Sequence, residues 1–123
     1  MRLRVAFAAL LVLLTLCGCA TVPDRFSRDP MLSGDGGYKM DNESSIGFSL
    51  EIFYKEYSFL PDPDNAIQGA RAYFRKTAEV LAKQRGKTII PITIADMHPT
   101  ATRNILDGYY SVYVTGKVTY STK

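Results

Sequence analysis

The stretch from Asp62 to Gly86 constrains the fold most, because it carries the signals of one long helix from start to end. Asp62 is a good N-cap, Pro63 suits the first helical position, and Gly86 follows basic residues at the expected end. Apolar residues recur every three or four positions between these signals. The sequence therefore predicts a helix over residues 63–85 with one apolar stripe: Ile67, Ala70, Phe74, Ala78 and Leu81.

Segments in which apolar and polar side chains alternate with a two-residue period come before and after this helix in the sequence. Residues 46–57 alternate apolar and polar side chains, and residues 109–120 do the same, which is typical of strands with one buried face. Residues 38–40 predict a short first strand. Residues 89–94 are rich in β-branched side chains and predict another strand, and residues 95–107 are expected to be irregular.

These elements predict an α+β domain with the order β-β-α-β-β. We expect a small, mostly antiparallel sheet with one long helix packed on one face. Pro91 cannot donate a ladder hydrogen bond, so its strand is expected at an edge. Gly116 falls on the apolar face of the last strand, where we expect the helix to approach closely.

The first residues of the chain have the pattern of a secretory signal. Arg2 and Arg4 precede an apolar run from Val5 to Leu16. A helix of that length spans roughly 18 Å, which is short of the roughly 30 Å hydrocarbon core of a bilayer. The segment is therefore expected to direct export and not to cross a membrane.

The end of this leader resembles the lipobox of bacterial lipoproteins. Leu16 lies three residues before Cys19, and the small Gly18 directly precedes it, although Cys17 departs from the usual small residue. The resemblance covers residues 1–19 and implies cleavage before Cys19, a diacylglyceryl thioether on its sulfur and acylation of its amino group. An ordinary cleaved signal is the alternative. Ala20 follows where an Asp would imply retention in the inner membrane, which favours an outer-membrane location facing the periplasm.

The chain then divides into three parts. Residues 1–18 form the signal peptide, residues 19–37 a lipidated cysteine with a flexible tether, and residues 38–123 a single α+β domain. Pro, Gly and scattered charges without a period predict the tether. Lipid attachment would hold the domain at the membrane, because each buried methylene contributes about 0.8 kcal/mol.

Charge and cysteine content exclude several function classes. Without Arg2 and Arg4, 13 basic residues face 12 acidic ones, so no basic field remains for nucleic acid. Both cysteines lie within residues 17–19. The domain after them therefore contains no disulfide, thiolate metal site or cysteine nucleophile.

Three aromatic residues predict a candidate binding face. Phe53, Tyr109 and Tyr113 interrupt the polar faces of the two long strands. If these strands are neighbours, the rings lie together on the side of the sheet away from the helix, as in many partner or glycan surfaces. The alternatives are cross-strand packing that shields the sheet, or cover by the tether.

Asp96 and His98 are the one carboxylate–imidazole pair that is close in the sequence. They could face one metal or substrate, with Asp107 as a further ligand if the loop folds back. A zinc site needs three or four ligands, however, and the chain has no second His. We therefore expect a solvated loop, with no metal, no cofactor and no catalytic residues.

Two other charged groups have ordinary structural explanations. Asp62 and Asp64 resemble a carboxylate pair, but helix capping accounts for both. Arg71, Arg75 and Lys76 form a small basic patch that could contact anionic lipid or an acidic partner. A solvated helix face is the simpler interpretation.

The sequence thus favours a non-catalytic envelope lipoprotein whose domain binds another envelope component, either a protein or a polymer. One alternative is a small-ligand or metal-dependent enzyme that uses Asp96 and His98, with Arg103 as a further group. Another is an accessory subunit for assembly of an outer-membrane complex. The partner itself is not identified by the sequence.

Overall fold

The computed structural model describes residues 23, 25–27, 36–58 and 62–122. Within these ranges the elements follow the predicted order β-β-α-β-β, which confirms the α+β class. The predicted leader, Cys19 and most of the predicted tether lie outside the described residues. The elements are β1 (Gly37–Asp41), β2 (Gly47–Tyr57), α1 (Pro63–Gln84), a short 3-10 helix (Ile94–Asp96), β3 (Met97–Arg103) and β4 (Tyr109–Thr119).

The four strands form one antiparallel sheet in the order β1-β2-β4-β3. The two long strands are central and pair from Gly47↔Thr119 to Tyr57↔Tyr109. Their apolar positions are in register, because Phe48 faces Val118 and Ile52 faces Val114. One face of the sheet therefore carries only apolar residues, glycine and tyrosine from the Phe48–Val118 pair to the Tyr54–Val112 pair, with Glu56 following opposite Tyr110, and this is the face that must be covered.

Helix α1 covers that apolar face. Its first turn is capped as predicted, since the Asp64 N–H donates to Asp62 Oδ1 at 2.9 Å. The buried Thr77 hydroxyl donates to the Tyr73 carbonyl at 2.7 Å, so this polar group is satisfied inside the helix. Half of the buried residues of the helix are alanines; the full set, which forms its buried stripe, is Ala66, Ala70, Tyr73, Phe74, Thr77, Ala78, Leu81 and Ala82.

The core lies between this stripe and the two central strands. Its most buried sheet residues include Leu50, Ile52, Val112 and Val114. Gly116 lies at the closest approach, because a Cβ there would be 2.4 Å from the Asp96 carbonyl oxygen and 2.9 Å from Phe74 Cζ. The close packing predicted at this glycine is present, with the turn before β3 even nearer than the helix.

The predicted position of the third strand is wrong. Residues 89–94 form no strand: Ile89 makes an isolated bridge to Tyr120, and Ile94 begins the 3-10 helix. The strand instead occupies residues 97–103, within the segment that was expected to be irregular. Pro91 is consequently not in an edge strand.

The hairpin between β3 and β4 explains this difference. Residues 97–103 pair with β4 through a short connection, and Met97 and Ala101 face the core while His98 and Thr100 face away. Local pairing of this kind outweighs the high β-propensity of residues 89–94, which depends strongly on context. β3 is an edge strand, and it carries Pro99, which has no N–H to offer to another strand.

The second face of the sheet carries no helix, and we call it the open face. Alternation along β2 and β4 places Ser49, Glu51 and Phe53 on it, opposite Lys117, Thr115 and Tyr113. His98 of β3 lies beside Thr115 on the same face. The candidate binding residues of the central strands, which are Phe53, Tyr109 and Tyr113, therefore all lie on the open face.

Candidate binding site on the open face of the sheet

Phe53 and Tyr113 lie together on the open face. They are direct partners in the β2–β4 register, and their ring centroids are 5.3 Å apart. Tyr109 does not join them. It lies four residues before Tyr113, at the start of β4, and packs against Tyr57 with a centroid distance of 5.5 Å. The structure thus brings together two of the three predicted aromatic residues.

A third ring, from Phe26, covers this pair. The Phe26 centroid is 6.1 Å from that of Phe53 and 6.0 Å from that of Tyr113. Only 6% of Phe26 and 4% of Phe53 are exposed, so the three rings form a small second core. We call Phe26, Phe53 and Tyr113 the aromatic cluster. In this arrangement Phe53 is not accessible to a partner.

The described part of the predicted tether is attached to the sheet at this cluster. Ser27 and Tyr38 exchange two backbone hydrogen bonds of 2.7 and 2.9 Å at the outer edge of β1. Arg25 contacts Glu51 with an N–O distance of 2.9 Å, and its guanidinium lies 4.6 Å from the Phe26 ring centroid. Both alternatives to a binding face that the sequence left open are therefore present at Phe53 and Tyr113, which pack across the strands and are covered by the preceding segment.

A polar groove lies beside the aromatic cluster, towards the end of the sheet where β1 and β4 finish. Its volume is about 490 Å³. Backbone of β2 and β4 forms its floor, and residues of β1 and β3 stand at its sides. The charged or titratable side chains that line it are Asp41, Glu51, Asp96, His98 and Lys117. We call this feature the polar groove.

Charges of both signs are distributed across the polar groove. Glu51 is held by Arg25, and Asp41 lies 3.5 Å from the Lys39 ammonium. Lys117 and His98 are exposed, and neither forms an ion pair within the described part of the chain. These two side chains are therefore available to a ligand, while the carboxylates of the groove are partly compensated by the protein itself.

Asp96 is fixed by the turn that precedes β3. Its Oδ2 atom accepts hydrogen bonds from the Thr93 N–H at 2.8 Å and from the Thr93 hydroxyl at 2.9 Å. These two hydrogen bonds lower the pKa of Asp96 below its ordinary value, with a smaller contribution from the nearby His98. The carboxylate is thus stabilised in its charged form, which suits a turn cap better than a general base near neutral pH.

The structure does not assemble the set of residues proposed for an enzyme. Arg103 lies at the opposite end of β3 from His98, roughly 17 Å along the strand. Asp107 lies in the β3–β4 turn, where its Oδ1 atom accepts from the Tyr109 N–H at 3.0 Å. Among the residues that the structure describes, no group of three His, Cys, Asp or Glu side chains could hold a metal ion.

The remaining charged candidates have structural roles or stand apart from the groove. Asp62 caps α1. On the same helix, the Arg75 Nε group donates to the Ile92 carbonyl at 3.2 Å, so it helps to hold residues 89–94 against the helix. Lys76 is exposed on the outer side of α1, and Arg71 is partly buried. The three basic residues therefore do not act as one free patch.

Sequence reasoning missed the contribution of Arg25 and Phe26. The segment was assigned to the tether because of its Pro and Gly content, and an aromatic ring next to a basic residue was the one local signal of docking. Glu51 and Lys117 were also missed as groove residues. Their polar character fits any solvated strand face, and only the register shows that they lie close together.

The described ranges contain no helix that is long and apolar enough to cross a membrane. Cys19, the predicted site of lipid attachment, lies outside the described residues and stays a prediction. Comparison with known protein families, curated proteins and solved structures finds no match for this chain.

Proposed function

We propose that this chain is a non-catalytic lipoprotein of the bacterial cell envelope, anchored through lipids on Cys19 in the outer membrane and facing the periplasm. Its α+β domain binds another envelope component, a protein or a polymer, in the polar groove. The observation that carries this proposal is the groove itself, where Lys117 and His98 are exposed and form no ion pair within the described part of the chain, beside partly compensated carboxylates on the open face.

The lipobox supports the membrane location. Leu16, Gly18 and Cys19 stand directly after a short apolar leader, in the arrangement that lipoproteins use for modification and cleavage. A single acyl chain binds a bilayer only marginally, and two or more give a stable anchor. The thioether-linked diacylglycerol and the amide-linked chain implied on Cys19 meet that requirement.

The chemistry of the polar groove favours a partner that carries both charges. Lys117 can pair with a carboxylate, and Asp41 or Glu51 can exchange their surface partners for an amino group at little cost, because exposed ion pairs contribute about 0–1 kcal/mol. A volume of about 490 Å³ is in the usual range for a small ligand or a short polymer segment. Peptides and amino-containing polymers have this combination of groups.

Photo-cross-linking in the native envelope tests the proposal. A photoreactive amino acid is placed at Thr115, which is exposed in the groove, and at Lys76 on the outer side of α1 as the matched control. We expect a defined adduct from position 115 and none from position 76. The adduct should be lost when Lys117→Glu is added, because the substitution reverses the charge of the exposed Lys117 side chain in the groove.

The outcomes separate the parts of the proposal. Equal labelling from both positions, or an adduct insensitive to Lys117→Glu, contradicts the groove as the binding site. The mass of the purified protein checks the anchor independently, since lipidation at Cys19 adds diacylglyceryl and acyl groups and Cys19→Ser prevents them. An unmodified Cys19 contradicts the anchor and leaves the groove result standing.

A further inference from the structure

The β3–β4 turn exposes two large aliphatic side chains at one end of the sheet. Ile105 is 91% exposed and Leu106 is 96% exposed, more than any other large hydrophobic residue that the structure describes. Single exposed apolar residues are common, but two adjacent and almost fully exposed ones at a protruding turn are a typical feature of an interaction site. We call residues 104–108 the apolar tip.

The apolar tip is held in a defined conformation. The Asn104 side chain accepts from the Leu106 N–H at 3.0 Å and donates to Asp107 Oδ2 at 3.2 Å. Asp107 Oδ1 accepts from the Tyr109 N–H, and Gly108 adopts the left-handed conformation that closes the turn. The side chains of Asn104 and Asp107 and the Leu106 N–H are thus paired within the turn, which lowers the cost of moving these groups away from water.

Aromatic and basic side chains surround the base of the tip. Tyr57 is 56% exposed and packs edge-on against Tyr109, and the Lys55 ammonium lies 4.1 Å from the Tyr109 ring centroid. Arg103 is exposed at the end of β3. At a bilayer surface, anionic phosphates and carbonyls lie above the aliphatic chains. An apolar tip with tyrosines and basic residues at its base has its chemical groups in the same order.

We propose that the apolar tip inserts Ile105 and Leu106 into the bilayer surface, with Tyr57, Tyr109, Lys55 and Arg103 at the level of the headgroups. This inference rests on the proposed lipid anchor, because the anchor is what places the domain next to a membrane. The chain from Cys19 to Pro23 spans at most about 14 Å when extended. Because Phe26 is packed on the sheet, the domain is confined close to the bilayer, and a weak second contact suffices to orient it.

The charges at this end of the sheet agree with a lipid surface. Lys55 and Arg103 carry the positive charge that anionic headgroups attract. Asp107 is exposed, but both oxygens of its carboxylate accept hydrogen bonds within the turn, and one oxygen of Glu56 accepts a hydrogen bond from the Tyr54 hydroxyl. With the tip in the bilayer, the polar groove lies at the far end of the sheet and faces the aqueous compartment.

A fluorescence measurement on the lipidated protein tests the insertion. Leu106→Cys is labelled with an environment-sensitive fluorophore, and the protein is reconstituted into vesicles of phosphatidylethanolamine and phosphatidylglycerol. The introduced thiol is the single free one in the mature chain, because the sulfur of Cys19 is a thioether. Ile46→Cys is the matched control, since Ile46 is 72% exposed next to the opposite end of the sheet.

We expect emission from position 106 to rise at least about twofold and to be quenched by lipids with a nitroxide on the acyl chain, with neither effect at position 46. Adding Ile105→Ser should reduce the quenching. A label at position 106 that stays in water on the vesicles overturns the proposal. If that label is shielded in native envelopes but not on vesicles, the proposal is also overturned, because the tip then binds a protein partner. If the mass of the protein shows no lipid, the same quenching is read at saturating vesicle concentration on a Leu106→Cys protein in which Cys17 and Cys19 are replaced by Ser. The label is then still confined to position 106, and the anchor and the tip are judged separately.

Discussion

At Gly116 the sheet, helix α1 and the turn before β3 meet without room for a side chain. We expect Gly116→Ala to lower the free energy of unfolding by about 1–3 kcal/mol, because a Cβ there is too close to a backbone oxygen that cannot move freely. Urea unfolding followed by circular dichroism measures the change. Thr115→Ala, which alters the exposed neighbour, is the control and should change the stability by less than about 0.5 kcal/mol.

The carboxylate of Asp96 makes a pH-dependent contribution to stability. Thr93 lowers its folded-state pKa through two hydrogen bonds, so the contribution is present above the ordinary Asp pKa and is lost as the pH falls through the lowered value. We expect wild type to be more stable than Asp96→Asn near neutral pH. The difference should shrink from about pH 5 downward and vanish in strong acid.

Unfolding of both proteins over a series of pH values checks this prediction. Thr93→Val is the matched control, because it removes the hydroxyl donor and keeps the backbone donor. It should raise the pKa of Asp96 in a carboxyl titration by NMR without abolishing the shift. A stability difference between wild type and Asp96→Asn that is independent of pH would show that the hydrogen bonds from Thr93 do not act through the charge of Asp96.

At the scale of the element, α1 depends on its first turn. Asp62→Ala removes the side chain that accepts from the Asp64 N–H, and we expect it to cost about 1 kcal/mol of unfolding free energy. Asp62→Asn retains an acceptor oxygen and should lower the unfolding free energy by no more than about 0.3 kcal/mol. Thermal unfolding of the two variants separates the cap from the charge, and equal losses would assign the effect to the charge.

Helix α1 was predictable because its signals are local and agree with one another. The cap, the proline, the apolar period and the terminal glycine lie within 25 consecutive residues and require no knowledge of the rest of the chain. The third strand was not, because residues 89–94 have the stronger β-propensity. The deciding factor is the pairing of residues 97–103 with β4, which a single sequence shows only as a short alternation of small and polar residues.

Only part of the candidate site was predictable from the sequence. The two-residue period placed Phe53 and Tyr113 on one face, and their contact followed once β2 and β4 were neighbours. The ring of Phe26 could not be foreseen, since it comes from a segment without a periodic pattern. The polar groove was equally hidden, because it is formed by the strand order that places β1, β2, β4 and β3 side by side.

At the scale of the whole molecule, the aromatic cluster decides how the chain after Cys19 is joined to the domain. If Phe26 is part of the cooperative fold, Phe26→Ala removes about 2 kcal/mol of unfolding free energy. This value is below that of a fully enclosed core position, because Tyr113 leaves the cluster partly open. Phe26→Leu keeps most of the apolar contact and should cost less than about 1.5 kcal/mol.

Hydrogen exchange identifies how the segment is coupled to the sheet. We expect Phe26→Ala to speed the exchange of the Ser27 and Tyr38 amides, which bond to each other's carbonyls, and also to lower the urea midpoint. Arg25→Gln is the control, because its exposed ion pair with Glu51 should contribute less than about 1 kcal/mol. Faster exchange of the two amides with an unchanged midpoint would contradict cooperative docking. The segment would then be separable from the sheet. The domain could move further from the proposed lipid anchor than the short chain between Cys19 and Pro23 allows when Phe26 is packed.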